Sequence, residues 1–95
     1  MIKKQAIAGT LESSDIQIII SKSDGNENII ELESPVKHLF EEEILKVINR
    51  VLKQHELVGV HIRAIDKGAL NCTIAARMQT AIYRATEKEL IWEVL

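Results

Sequence analysis

The sequence predicts an α+β fold in two layers: an antiparallel sheet built from two β-hairpins, a long helix across one face, and a shorter C-terminal helix. Three observations carry this prediction. Apolar residues alternate at period two over residues 15–21, 28–33 and 58–66. A stretch of about five turns from Val36 spaces them at i, i+3, i+4 and i+7. Asp24-Gly25 and Asp66-Lys67-Gly68 stand between alternating runs as turn signals. Sheets and helices that each bury one face stack on one another as layers.

In chain order, Ile16, Ile18 and Ile20 share one face of a half-buried strand, and Ile30 and Leu32 share one face of a second. The Asp24-Gly25 turn between them predicts antiparallel pairing of the two. Residues 3–9 offer a third strand. Ser34 then reads as a helix N-cap with Pro35 at the first helical position, where the missing N–H costs nothing. Glu41, Glu42 and Glu43 come early in that helix and Lys46, Arg50 and Lys53 late, as the helix dipole prefers. Val60, Ile62 and Ala64 mark the next strand, and Leu70, Cys72 and Ile74 its returning partner, which places Cys72 in the core. From about Ala75 the period turns helical, with Met78, Ala81, Ile82 and Ala85 on one face, and Trp92 follows in a short tail.

Composition bounds the function before any motif does. Ninety-five residues, 46% hydrophobic and with net charge −2, are expected to form one domain rather than a disordered chain. A slightly acidic chain with one Phe, one Trp and one Tyr lacks the electrostatic and stacking footprint of a nucleic-acid binder. A single Cys excludes an internal disulfide and a multi-cysteine zinc site. The start of the chain has no apolar run of signal-peptide length, about 7–15 residues, so a cytoplasmic location is expected. His38, His55 and His61 have no partner among themselves at i+3 or i+4, there is no glycine-rich phosphate cradle, and Glu41–Glu43 lie on a solvated helix start. No metal site and no catalytic cluster emerge.

One constellation remains, Ala8-Gly9-Thr10-Leu11-Glu12-Ser13-Ser14-Asp15. On physics alone the favoured reading is a loop leading into the first long strand, rich in residues that bond their own backbone. The sharper reading is a presented hydroxyl. Ser13 and Ser14 sit between two carboxylates, without a local base, which suits a hydroxyl that another enzyme modifies rather than a self-activated nucleophile.

This octamer, followed in order by Asp66-Lys67-Gly68-Ala69-Leu70-Asn71-Cys72 and Ala76-Arg77-Met78-Gln79-Thr80-Ala81, resembles the citrate lyase acyl carrier protein family, the gamma subunit of that complex. The resemblance spans nearly the whole chain. It implies a non-catalytic carrier with a covalent phosphoribosyl-dephospho-coenzyme A group, whose thiol holds acetyl and citryl thioesters while citrate is cleaved to acetate and oxaloacetate. The implied partners are the alpha (acyl transferase) and beta (acyl lyase) subunits and a prosthetic-group transferase, with no nucleic acid and no membrane. The family pattern Leu-Glu-Ser-[Ser/Gly]-Asp maps the phosphodiester attachment to Ser13, with Ser14 as the fallback. Two other readings stand beside it: a malonate decarboxylase-type carrier subunit, and a small α+β interaction module without a covalent group. Arg63, Lys67, Arg77 and Arg84 could neutralise phosphates of the arm, although ordinary solubilising charge is the favoured account of them.

Overall fold

A computed structural model describes residues 2–35 and 37–87, together with the side chains of all of these except Lys37 and His38. The expected tail with Trp92, the side chain of His38 and Val36 at the expected start of the helix fall outside the described residues. Four strands and two helices follow in the order β1 (Ala6–Ala8), β2 (Ile16–Lys22), β3 (Ile29–Glu33), α1 (Lys37–Gln54), β4 (Val60–Asp66) and α2 (Asn71–Thr86). The strands form one sheet in the order β1-β2-β4-β3. β1 with β2 and β2 with β4 are antiparallel, and β3 runs parallel to β4.

The period-two pattern explains the layers. Ile16, Ile18 and Ile20 of β2 and Val60, Ile62 and Ala64 of β4 point to one face and are fully buried. Ile44, Ile48 and Leu52 of α1 and Ile74, Met78 and Ile82 of α2 meet them in a single core. Burying each such isoleucine contributes about 1.5–3 kcal/mol. The opposite face, with Ile19, His61 and Arg63, stays half-buried or exposed. The α+β architecture with both helices on one side of the sheet is therefore as the periodicity predicts.

The hairpins are not. β2 and β3 do not pair with each other; β4 lies between them, registered Ile18↔Ala64 to β2 and Leu32↔Ala64 to β3. The strands with fully buried faces take the centre, while β3, whose Ile30 and Leu32 are half-buried, takes an edge. Side chains enforce the detour: the Asn28 amide donates to the Leu57 carbonyl at 3.1 Å, and its oxygen accepts from the Val60 amide at 3.1 Å. The Asp24-Gly25 turn bends the chain across the start of β4, where the Ser23 amide donates to the Gly59 carbonyl at 2.9 Å and the Ser23 hydroxyl to the Gly25 carbonyl at 3.0 Å. The sheet is consequently mixed, because a chain that returns through α1 delivers β4 parallel to β3.

The second hairpin is also replaced. Residues 70–74 are not a returning strand: α2 begins at Asn71. Leu70 is 71% exposed and Cys72 is exposed, so Cys72 does not sit in the core. Three alternating residues fit a helix as well as a strand, and Ile74, Met78, Ala81, Ile82 and Ala85 decide the matter as a buried helical stripe. The glutamates of α1 also fall short of the dipole reading. The described helix starts at Lys37 with no acidic residue in its first turn, so Glu41–Glu43 lie beyond the strongest part of the field. The Ser34 hydroxyl donates to Asp66 Oδ2 at 2.9 Å, while Asp66 Oδ1 accepts the Ala69 amide at 2.9 Å. That carboxylate pins the approach to α1 against the β4–α2 turn.

Candidate functional site

The β1–β2 connection is built around a single carboxylate. β1 ends at Ala8, and Gly9 turns the chain at φ +87°, a region L side chains rarely adopt. A Cβ at Gly9 would land on the Ile16 carbonyl oxygen and sit 3.3 Å from Arg77 Cδ, so the close approach requires glycine. Asp15, 8% exposed, then draws the loop shut. The Thr10 amide and hydroxyl donate to its Oδ2 at 3.1 and 2.7 Å, and the Ile16 amide donates to Oδ1 at 2.7 Å. Arg77 closes a fork from α2, donating from Nε to Oδ1 at 3.0 Å and from Nη2 to Oδ2 at 3.1 Å. Bidentate pairing of this kind fixes geometry as well as charge. The hydrogen bonds from Arg77 above all, then those from Thr10 and the Ile16 amide, hold the Asp15 carboxyl well below the usual carboxylate range, against the opposing effect of burial.

Backbone bonds extend the lock. The Lys67 amide donates to the Asp15 carbonyl at 2.9 Å, and the Ser14 amide donates to the Lys67 carbonyl at 2.8 Å. The Asp15 amide turns back to the Glu12 carbonyl at 3.2 Å. With its base held in this way, the loop displays Leu11, Glu12, Ser13 and Ser14, all exposed. Among the described residues no side chain hydrogen-bonds to either serine hydroxyl. The loop thus offers a hydroxyl without an adjacent base, the arrangement of an acceptor of modification rather than an activated nucleophile.

Two readings of the sequence change here. Asp15 does not face the serines as a flanking acid; it points inward, and its charge is offset by Arg77. Of the four cations considered for phosphate neutralisation, Arg77 is committed to Asp15, and Arg84 Nη1 donates to the Ile7 carbonyl at 2.7 Å. Arg63 lies on the open face of the sheet, opposite Glu31 in register. Lys67 is exposed at the foot of the loop. The Asp15–Arg77 clamp went unrecognised in the sequence, although a signal existed. Arg77 stands beside Met78 at the edge of an otherwise apolar helical stripe, where a charge needs a partner.

The serines differ in backbone. Ser14 adopts φ +65°, left-handed, at a cost of about 1–2 kcal/mol for an L residue. Ser14→Gly is expected to leave stability unchanged or raise it by up to about 1 kcal/mol in urea melts, with the loop intact. Position 14 is therefore set by backbone conformation, and Ser13 is the loop-tip serine in ordinary conformation.

Comparison with known proteins gives the site its context. The sequence profile described as malonate decarboxylase delta subunit (MdcD) matches residues 3–85. The citrate lyase acyl carrier protein of Oenococcus oeni is 50% identical over 97 residues, covering 99% of this chain and 98% of its own. That of Lactobacillus acidophilus is 56% identical over 89 residues, covering 93% and 90%. That of Haemophilus ducreyi is 47% identical over 92 residues, covering 97% and 95%. The chain belongs to the citrate lyase acyl carrier protein family. As a member of that family it is a non-catalytic carrier subunit, which implies a complex with other citrate lyase subunits, and the family points to a covalently attached prosthetic group. Two solved structures share the fold alone. Homoserine kinase from Cytophaga hutchinsonii matches with a TM-score of 0.60 at 14% identity, over 97% of this chain and 37% of that one. The RNase P protein of Staphylococcus aureus matches at 0.52 and 11% identity, over 81% of each. Among the described residues no helix is long and apolar enough to cross a membrane, and no group of three or more potential metal ligands occurs.

Proposed function

We propose that Ser13 Oγ carries a phosphoribosyl-dephospho-coenzyme A group through a phosphodiester, and that this cytoplasmic chain presents the group to the alpha and beta subunits of citrate lyase. The observation behind this reading is the exposed Ser13 hydroxyl on a loop whose base is locked by the Asp15–Arg77 fork. The residues present fit such a group. A transferase can reach the hydroxyl, and Lys67 at the foot of the loop can offset phosphate charge. Ser14, in a left-handed conformation open to glycine, is the weaker candidate. When bound, the group supplies a thiol to which acyl groups are esterified. The chain's own residues position it: Gly9 and Asp15 set the loop, Arg77 holds Asp15 to α2, and Lys67 ties the loop to the end of β4. A tether of this kind keeps the thiol at roughly mM concentration around the loop, so delivery needs no diffusing intermediate.

The test is intact mass and peptide sequencing after co-expression with the prosthetic-group transferase. Wild type and Ser14→Gly should each gain one prosthetic group, and Ser13→Ala none. A full increment on Ser13→Ala, or a modified peptide carrying the group on Ser14, sinks the assignment. The description of the matching family profile favours a second reading, a malonate decarboxylase carrier subunit. Restoration of citrate cleavage when the loaded chain is added to citrate lyase alpha and beta subunits decides between the two.

A further inference from the structure

A groove of about 450 Å³ lies between the start of α1 and the β4–α2 turn. Phe40 and Ile44 line one side, and Gly68, Ala69 and Leu70 the other. Leu70 is 71% exposed and Phe40 49%, with Leu39 beside it in sequence at 68%, so an apolar surface there is left uncovered by the described fold. The volume is that of a small-molecule site, which typically spans about 300–1,000 Å³.

Two features select an occupant. The first is position. Gly68 follows Lys67, whose carbonyl accepts the Ser14 amide at 2.8 Å, so the groove opens next to the loop that bears Ser13. The second is charge. Among the described residues, the ionisable groups lining the groove are Glu43 and Asp66, both acidic. Asp66 is already taken by the Ser34 hydroxyl and the Ala69 amide, and Glu43 accepts the Asn71 amide at 2.9 Å. Those two carboxylates disfavour a phosphate, whereas the methyls and methylenes of a neutral chain would meet apolar walls while its amides face the open mouth of the groove.

We propose that this groove seats the neutral pantetheine section of the group attached at Ser13, holding it against Phe40, Ala69 and Leu70 while the phosphates stay in solvent on the Lys67 side. The proposal rests on the attachment reading above. With a tether giving roughly mM effective concentration, a contact with an intrinsic Kd near mM is about half occupied, which shelters the arm without trapping it.

The experiment compares apo and loaded ¹⁵N-labelled chain, with loading at Ser13 established first by mass. Loading is expected to shift the amides of Phe40, Ala69, Leu70 and Asn71 as well as those of residues 12–15. Cross-peaks should connect the geminal methyls of the arm to Leu70 and Phe40. Leu70→Lys, a substitution at an exposed side chain, should lose the groove shifts and keep the loop shifts; if that variant does not load, the wild-type pattern decides alone. Shifts confined to residues 12–15 would overturn the proposal. So would groove shifts that arise only when the other subunits are added, which would make the groove a docking face. Absence of the mass increment at Ser13 would remove the attachment reading, and this inference with it, before any spectrum is taken.

Discussion

Gly9→Ala is expected to lower unfolding stability by about 3 kcal/mol or more, shifting the urea midpoint down with little change in slope. Two costs combine. The backbone at φ +87° penalises any L side chain by about 1–3 kcal/mol, and the new Cβ collides with the Ile16 carbonyl oxygen. Neither neighbour can yield cheaply, because Ile16 is the first residue of β2 and fully buried, and Arg77 Cδ belongs to the clamp. Gly68→Ala is the matched control. Gly68 has φ +92°, but a methyl added there would meet nothing within 4 Å, so only the backbone cost applies. Equal losses at the two positions would show that the Gly9–Ile16 approach is not as tight as described.

Arg77→Met is expected to cost about 2 kcal/mol at neutral pH. That is less than the 3–5 kcal/mol of a fully buried pair, because the Arg77 side chain is 40% exposed and solvent screens part of the attraction. The loss should depend on pH. Asp15 has a depressed carboxyl in the folded protein, so its contribution is complete above the unfolded value of about 3.9 and is lost as pH falls from there toward the folded value. Urea melts of wild type and Arg77→Met at pH 7 and pH 3 should therefore show a gap that narrows in acid. A constant gap would assign the loss to packing of the arginine stem instead. Loading of the prosthetic group should slow in the same variant, although Ser13 itself is untouched.

These two positions illustrate what the sequence made legible. Period-two runs located β2, β3 and β4, and the 3.6-residue spacing located α1, because burial of one face is a local property of each segment. Pairing is not local. Asp24-Gly25 is a sound turn signal, yet the turn leads β3 away from β2, since Asn28 is bonded to Leu57 and Val60 at the start of β4. Leu70, Cys72 and Ile74 alternate over too few residues to separate strand from helix. The octamer and its family resemblance single out Ser13 as a candidate, and the structure leaves it exposed. What makes the octamer a displayed loop was not legible, because Asp15 is held by a residue 62 positions away.

That separation has a consequence for how the loop comes into being. The pairing of β2 with β4 joins Ile16 to Asp66, and the loop base depends on Lys67 and Arg77. Contacts this distant in the chain form late, after the entropy of closing the intervening segment has been overcome. During synthesis the octamer leaves the ribosome before Lys67 and Arg77, as a stretch of chain without the partners that hold it. It takes its displayed shape only once the chain has been extended past Arg77 and α2 has docked. Any enzyme that recognises the shaped loop, and not merely its sequence, would therefore act on folded chains and pass over nascent ones.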